Sequence, residues 1–384
     1  MQSTSDEKMV QTYSRTNPFE AKILKNFNLN GEGSSKETRH IELSLEGSGL
    51  TYVPGDALGI MPANDPELVA SLIEEMQWDE NTKVSIKEET LTLKDALTTY
   101  FEITLLTKKV LQQAAAYTEN DELHKLLQPE NAAEVKEYCN GRDLLDMIRD
   151  FGPWKVTAQE FVNMLRKMTA RLYSIASSIA ANPNEVHLTI GAVRYTAHGR
   201  ERKGVCSVLC AERVKEGDTL PVFVQANKHF HLPESAESDI IMVGPGTGIA
   251  PFRSFIQERA VNKVTGKTWL FFGDQHAASD FLYQGELENY QQTGILTKLD
   301  TAFSRDGAEK VYVQHKMLQQ SKELFEWFEK GAYFYVCGDK EYMAKDVNEA
   351  LITIIEKEGN MDRDSAEAYL KDMQKQGRYQ RDVY

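Results

Sequence analysis

Residues 239–255 read DIIMVGPGTGIAPFRSF: an apolar run, three glycines on alternate positions, then a helical pattern with Pro251 in its first turn. An unbroken apolar run this short suits a strand buried on both faces better than an amphipathic one. Proline fits the first turn of a helix, where its missing N–H costs nothing. Gly244, Gly246 and Gly248 lack Cβ atoms and would let an anion such as a pyrophosphate approach backbone N–H groups at the helix start. The spacing is not a strict GxGxxG, and the plain alternative is a glycine turn that packs strand against helix.

Downstream the same alternation repeats. The segments KTWLFFGD, DFLYQGELENYQQTG, LTKLDTAFS, KVYVQHKML and AYFYVCGDKEYMAKDVNEALITIIEKEG alternate apolar runs with amphipathic ones. That order predicts a doubly wound α/β parallel-sheet domain over residues 231–384, with ligands at the carboxyl ends of its strands. Upstream, residues 18–63 alternate with period two, as at Ile41, Leu43 and Leu45. Strand patterns return over 169–230 in ARLYSIASS, EVHLTIGAVRY, GVCSVLCAERV and DTLPVFVQAN, so the two stretches together predict an antiparallel β-barrel. Between them, residues 64–168 carry helical periodicity and predict an all-α insertion, opened by Asn64 or Asp65 as cap with Pro66 in the first turn. Residues 1–17 show no periodic pattern and read as a flexible leader or linker stub. The tail GRYQRDVY ends on aromatic residues, Tyr379 and Tyr384, which would either pack onto the body or cover a ligand.

Composition bounds the function classes. A formal net charge of -14 argues against a general nucleic-acid binder, so any anionic ligand needs a local cluster of cations. No apolar run approaches a membrane span, and the acidic, polar N-terminus is unlike a signal peptide, which points to the cytoplasm. Cys139, Cys206, Cys210 and Cys337 form no CxxC pair and no ligand set with His, so no metal is expected.

Three further stretches carry chemistry. TAFSRDGAEKVYVQ, residues 301–314, sets Ser304, Arg305, Lys310, Tyr312 and Gln314 beyond a predicted strand; two cations, a hydroxyl and an aromatic ring suit a 2'-phosphoadenosine, and a solvated charged loop is the alternative. RLYSIASS, residues 171–178, places Arg171, Tyr173 and Ser174 for a flavin pyrophosphate, ring and N5 edge, and KGVCS offers Gly204, Val205 and Ser207 as a second anion cradle; ordinary strand and turn are the alternatives. YVCGD ends an apolar strand on Cys337, either a structural thiol or a group beside a nicotinamide.

Taken in order, RLYS, TIGAVRY, KGVCS, GPGTGIAPFR, SRD, KVYVQ, YVCGD and RYQRDVY resemble the ferredoxin-NADP reductase superfamily in its diflavin reductase branch. Within that branch the chain is most similar to the flavoprotein (alpha) subunits of assimilatory NADPH-sulfite reductases, which serve cysteine biosynthesis. The helical insertion fits the connecting domain of diflavin reductases. The resemblance implies that Arg171, Leu172, Tyr173 and Ser174 bind FAD with Thr189, Ile190, Gly191, Tyr195, Gly204, Val205, Cys206, Ser207 and Thr107. It implies NADPH contacts from Ser304, Arg305, Lys310, Val311, Tyr312, Val313, Gln314 and Asp346, with Gly246 and Thr247 under the pyrophosphate and nicotinamide. Ser174, Cys337 and Asp382 match the polar group around the hydride path, and Tyr384 matches the aromatic residue that covers the flavin, leaving Tyr379 to pack the tail.

No flavodoxin-like phosphate loop precedes Asn17, so FMN is not expected in this chain. The implied activity is an FAD-dependent NADPH oxidoreductase passing electrons to an FMN-binding flavodoxin-like domain or protein, and onward to a sulfite reductase haemoprotein. Whether the chain is a piece of the larger flavoprotein or a natural stand-alone reductase stays open. A free-standing NADPH:acceptor reductase and a non-catalytic docking module are the competing readings. Cys206 and Cys210 stand one helical turn apart, as a redox pair or a packed helix start.

Overall fold

A computed structural model of the chain describes residues 12–384. The expected flexible leader lies outside the described residues as far as residue 11. Residues 12–17 form a turn closed by Ser14 and Asn17, whose backbones exchange hydrogen bonds of 2.8 and 3.1 Å, with the Tyr13 ring edge-on to Phe19.

The chain divides into two compact units. One holds the described residues up to Gly59 together with Leu172–Gly191 and Lys215–Tyr384; the other holds Ile60–Arg171 and Ala192–Val214. The fifteen strands among the described residues are, in chain order, β1 Phe19–Asn28, β2 Thr38–Ser44, β3 Ala57–Ile60, β4 Lys83–Ile86, β5 Glu89–Thr92, β6 Arg171–Ser174, β7 Glu185–Gly191, β8 Arg194–Ala197, β9 Arg200–Lys203, β10 Thr219–Gln225, β11 Ile240–Val243, β12 Thr268–Asp274, β13 Lys298–Phe303, β14 Tyr333–Gly338 and β15 Tyr379–Val383.

The first unit carries two sheets. Six strands run in the order β6-β3-β10-β1-β2-β7, and an antiparallel bridge between Ile175 and Leu188 joins the two ends into a barrel. Closure leaves no open edge, which protects such a sheet from pairing with other chains. The second sheet is β13-β12-β11-β14-β15, parallel throughout. Its three central strands, β11, β12 and β14, are apolar on both faces because both are covered. Ile241, Val243, Trp269, Phe271, Phe334 and Val336 pack on one side, while Ile240, Met242, Leu270, Phe272 and Tyr335 meet Phe252, Phe255 and Ile256 on the other.

Tyr379 packs the tail against the sheet as expected, and it does so from a strand that the sequence pattern does not show. YQRDV forms β15, in register with β14 as Phe334↔Tyr379 and Cys337↔Asp382. Its alternating charges hide a strand from pattern reading; pairing with β14 supplies the reason it is one.

Barrel and parallel sheet are tied within this unit by a polar cluster. The buried Arg253, on helix Ile249–Val261, donates to Ala176 O at 2.8 Å and to His187 Nδ1 at 3.2 Å, and pairs with Glu286 at 2.9 Å. Tyr283 Oη lies 2.8 Å from His40 Nδ1 and 2.7 Å from Thr189 Oγ1. His40, Glu42 and His187 stand close enough to suggest a cation site. Arg253 occupies His187 Nδ1, however, which leaves the ring proton on Nε2, facing Glu185 at 3.0 Å. A metal ligand needs that nitrogen unprotonated, so the arrangement reads as a hydrogen-bonded brace.

Burial, then the Arg253 charge and His187, push His40 down to about 3 against the opposing pull of Glu42. A histidine depressed in the folded state stabilises it above the ordinary value of 6.5 and loses that contribution as pH falls toward 3. The full shift corresponds to roughly 5 kcal/mol. Stability should therefore drop between pH 6.5 and the low threes, and His40→Gln should flatten that slope in urea melts run across the range. An unchanged slope would assign the acid lability to other groups.

The second unit is built around Leu72, Leu97, Ile103, Leu111, Leu144 and Phe161. Asp65 caps helix Pro66–Glu75, with Pro66 in its first turn. Asn64 instead turns inward, donating to Leu97 O and Phe101 O at 2.6 and 2.7 Å. The unit is mostly helical, but it also contains the hairpin β4–β5 within the segment expected to be all α; Val84 and Ile86 point inward from it at period two. GVCSVLCAERV, expected as a strand, instead starts a helix that becomes a π-helical turn at Leu209–Arg213. Its β-branched residues mislead the pattern; Arg213 pins the turn by donating to Asn64 O and Ala63 O, both at 2.7 Å.

Candidate active site

The glycine turn sits at the carboxyl end of β11, where the chain order reverses from β12 on one side to β14 on the other. Such a reversal opens a crevice at the strand ends. A Cβ on Gly248 would come within 2.2 Å of Cys337 O, so the turn lies backbone to backbone on the end of β14. Gly246 differs: its φ is +56°, and a Cβ there would find only an Asp274 oxygen at 3.8 Å. Gly248 is therefore a packing glycine, while Gly246 faces open space that a ligand can enter.

Beside this turn, β14 and β15 bring three expected residues together. Ser174 Oγ donates to Asp382 Oδ2 at 2.6 Å, and Cys337 is the register partner of Asp382. Burial pushes the Cys337 thiol well above its ordinary range and the Asp382 charge pushes it further, against the Ser174 hydrogen bond, so it is a thiol and not a thiolate. Burial also raises the Asp382 carboxyl, with Ser174 pulling the other way. The chain then ends over this group. Tyr384 Oη lies 2.7 Å from Thr247 Oγ1, and the last backbone unit exchanges hydrogen bonds of 3.1 Å with Gly338 O and Lys340 N. Tyr384 remains 64% exposed, held by its edges and not by packing, while Cys337 beneath has no exposed surface.

The cations of the 301–314 stretch lie where β13 ends. Ser304 N and Arg305 N donate to Asp274 O and Gln275 O, both at 2.9 Å, which fixes the turn; Arg305 and Lys310 are exposed. Tyr312 is exposed at the head of helix Val313–Gln319, and Gln314 donates to Asp346 at 3.1 Å. Val311 is half-buried and Val313 buried.

Among the residues expected at a flavin, Leu172 keeps 54% and Tyr195 50% of its surface exposed. Arg171 is held through Thr169 and Glu102. In the second unit, Gly204 N donates to Val193 O at 2.8 Å and Val193 N to Ser207 Oγ at 3.1 Å, closing a loop at the helix start. A Cβ on Gly204 would meet Ser207 Oγ at 2.5 Å. The chain's profile there matches a known family: the FAD binding domain aligns with residues 11–209, more than half of the chain.

The chain belongs to that FAD binding domain family.

An oxidoreductase NAD-binding domain profile matches residues 242–349 of this family member, which begins inside β11 and covers the glycine turn and the 301–314 stretch. Among curated relatives, the sulfite reductase [NADPH] flavoprotein alpha-component of Bacillus subtilis is 65% identical over 375 residues, covering 97% of this chain and 62% of that protein. The proteins of the same name from Vibrio cholerae and Escherichia coli O9:H4 are each 45% identical, covering 97% of this chain and 60% and 62% of theirs. The chain thus spans about three-fifths of the length of the curated relatives it matches. Among the described residues no helix is long and apolar enough to cross a membrane.

Some expected FAD contacts have other occupations. The Thr189 hydroxyl is bound to Tyr283, and Ile190 is fully buried in the barrel wall, so neither presents its side chain to a ligand. Gly191 lies against Thr247 instead; a Cβ on Gly191 would stand 3.4 Å from the Thr247 methyl. Thr107 caps helix Lys108–Ala114 through the Val110 N–H. Val205, Cys206 and Ser207 are buried, so their side chains pack inward; Cys210 N donates to Cys206 O at 2.9 Å, the ordinary helical bond, and neither cysteine forms a disulfide. Tyr173 is half-buried on β6. Glu102 escaped the sequence reading, although an acid between Phe101 and Ile103 in an apolar run was the available signal.

Proposed function

We propose that the chain takes hydride from NADPH onto bound FAD and passes the electrons to an FMN-binding flavodoxin-like domain or protein, and from there to a sulfite reductase haemoprotein in the cytoplasm. The observation that carries this reading is the Ser174–Asp382 hydrogen bond beside Cys337, next to the open face of the Gly246 turn. The oriented Arg171, the exposed Tyr195 and the Gly204 loop fit a flavin nucleotide. When bound, FAD supplies an N5 position that accepts hydride in one two-electron step and releases electrons singly.

The chain's own groups divide the remaining work. Arg171 binds pyrophosphate, and Gly204 lets it approach backbone. Ser304, Arg305, Lys310 and Tyr312 hold the 2'-phosphoadenosine, with Gln314 and Asp346 setting the base of that site. Ser174 presents a hydroxyl to the reacting edge, Cys337 positions the nicotinamide, and Asp382 favours the positive charge it acquires. Because Cys337 is buried in the resting chain, Tyr384 acts as a lid that moves before the nicotinamide arrives.

Removing Tyr384 breaks its hydroxyl bond to Thr247 and its two backbone bonds, to Gly338 O and from Lys340 N, and exposes this face. FAD should stay bound, NADH should be used several-fold better, and nicotinamide release should slow; paired steady-state and stopped-flow assays read all three. Unchanged coenzyme preference together with an unchanged flavin spectrum would reduce Tyr384 to a packed end.

The decisive experiment is an absorption spectrum of the chain reconstituted with FAD, followed by anaerobic NADPH. A flavin band that NADPH bleaches supports the reading. No bound flavin, or a flavin NADPH cannot bleach, would favour the docking-module alternative. Bleaching without transfer to any flavodoxin-like carrier would leave the free-standing NADPH:acceptor reductase.

A further inference from the structure

We infer that Glu102 is a positioning residue that aims the Arg171 guanidinium at the flavin pyrophosphate; this rests on the reading of Arg171 given above. Glu102 is flanked by core residues Phe101 and Ile103, and its own side chain has no exposed surface. Both carboxylate oxygens are used. Oε1 accepts from Thr104 N at 3.1 Å and Thr104 Oγ1 at 2.6 Å, and Oε2 accepts from Arg171 Nη2 at 2.8 Å. Burial alone would raise this carboxyl, but the Thr104 and Arg171 bonds outweigh it and hold it below the usual range.

The other terminal nitrogen of Arg171 is held as firmly. Nη1 donates to Thr169 O at 2.6 Å and Thr169 Oγ1 at 2.7 Å. Two of the three guanidinium nitrogens are thus anchored from the protein side, yet the side chain keeps 27% of its surface exposed. A planar fork anchored in this way has little rotational freedom left to lose on meeting an anion.

Two effects of Glu102 oppose each other. Its negative charge beside Arg171 lowers the local positive potential and so weakens attraction for an anion. Its geometry fixes the donors and so strengthens binding. A buried ion pair is commonly no more stabilising than apolar residues of similar volume, so stability alone is a poor reason to place an acid in this core. Orientation is the contribution that remains, as with the outer groups that aim metal ligands.

The test is a double-variant cycle on apoprotein titrated with FAD, with ionic strength varied and the thermal midpoint measured in parallel. Glu102→Gln is nearly isosteric but has one acceptor oxygen for the Thr104 and Arg171 donors. It should weaken FAD binding about 10-fold or more. Arg171→Ala should weaken it at least as much and flatten its salt dependence. In the Arg171→Ala background, Glu102→Gln should weaken FAD by less than about 2-fold, because there is no guanidinium left to aim. Glu102→Asp should recover part of the loss. If the two losses multiply in the double variant, or Glu102→Gln alone binds FAD normally while Arg171→Ala does not, the positioning role is overturned and the Arg171 reading survives. If Arg171→Ala binds FAD normally, the Arg171 reading falls and takes this role with it. A fall in thermal midpoint with no change in FAD affinity would make Glu102 a structural acid only.

Discussion

With Arg305 and Lys310 both replaced by Ala, KM for NADPH should rise on the order of 10³-fold while KM for NADH changes by less than about 2-fold. Each cation offers a charge-assisted bond to the 2'-phosphate worth roughly 1.5–3 kcal/mol, and NADH lacks that group. Arg305 stands at the carboxyl end of β13, on a turn that Asp274 and Gln275 carbonyls fix in place, and Lys310 follows it as an exposed residue, so replacing the two side chains should not move the backbone. Both are exposed, and a protein with a net charge of -14 attracts a phosphate only through such a local site. Steady-state kinetics with both coenzymes measures the effect. Equal losses for NADPH and NADH would remove Arg305 and Lys310 from the phosphate role and return the stretch to a solvated loop.

Replacing Asp382 by Asn should slow flavin reduction by NADPH about 100-fold, with KM changed much less. The half-buried carboxylate accepts from the Ser174 hydroxyl and acts on the Cys337 thiol, and it favours the cation formed when the nicotinamide gives up hydride. Burial raises its proton affinity, so in the unmodified chain the reduction rate should fall as pH is lowered through that raised value, since the protonated form loses the charge. Asp382→Asn should show no such fall. The same shift has an opposite sign for stability. An acid whose folded value is raised weighs against the folded state as pH climbs through it, so Asp382→Asn should melt higher than the unmodified chain near neutrality. Stopped-flow flavin bleaching and thermal melts across the pH range test both arms. A slow variant that keeps the original pH profile would place the titrating group elsewhere.

The division between what was readable and what was not follows particular residues. Buried strands such as IIMV and WLFFG were legible because a run covered on both faces leaves no polar position to disguise it. The cap of helix Pro66–Glu75 was narrowed to two neighbours, because capping is a bond between residues two or three apart. The π-helical turn at Leu209–Arg213 was misread as strand, since its hold on Ala63 and Asn64 lies far away in sequence. The hairpin β4–β5 was lost inside a helical region for want of length.

By itself the sequence determined the barrel strands, the doubly wound sheet, the glycine turn and the cation-bearing loop, each written in contacts between near neighbours. Only the tertiary structure decided that the tail is a strand and not a loose end, that the Thr189 hydroxyl belongs to Tyr283, and that Glu102 stands behind Arg171. Ser174 and Asp382 are 208 residues apart and share a hydrogen bond of 2.6 Å. Periodicity and propensity report the next turn or the next strand residue, whereas that bond exists because β14 brings β15 into register beside it.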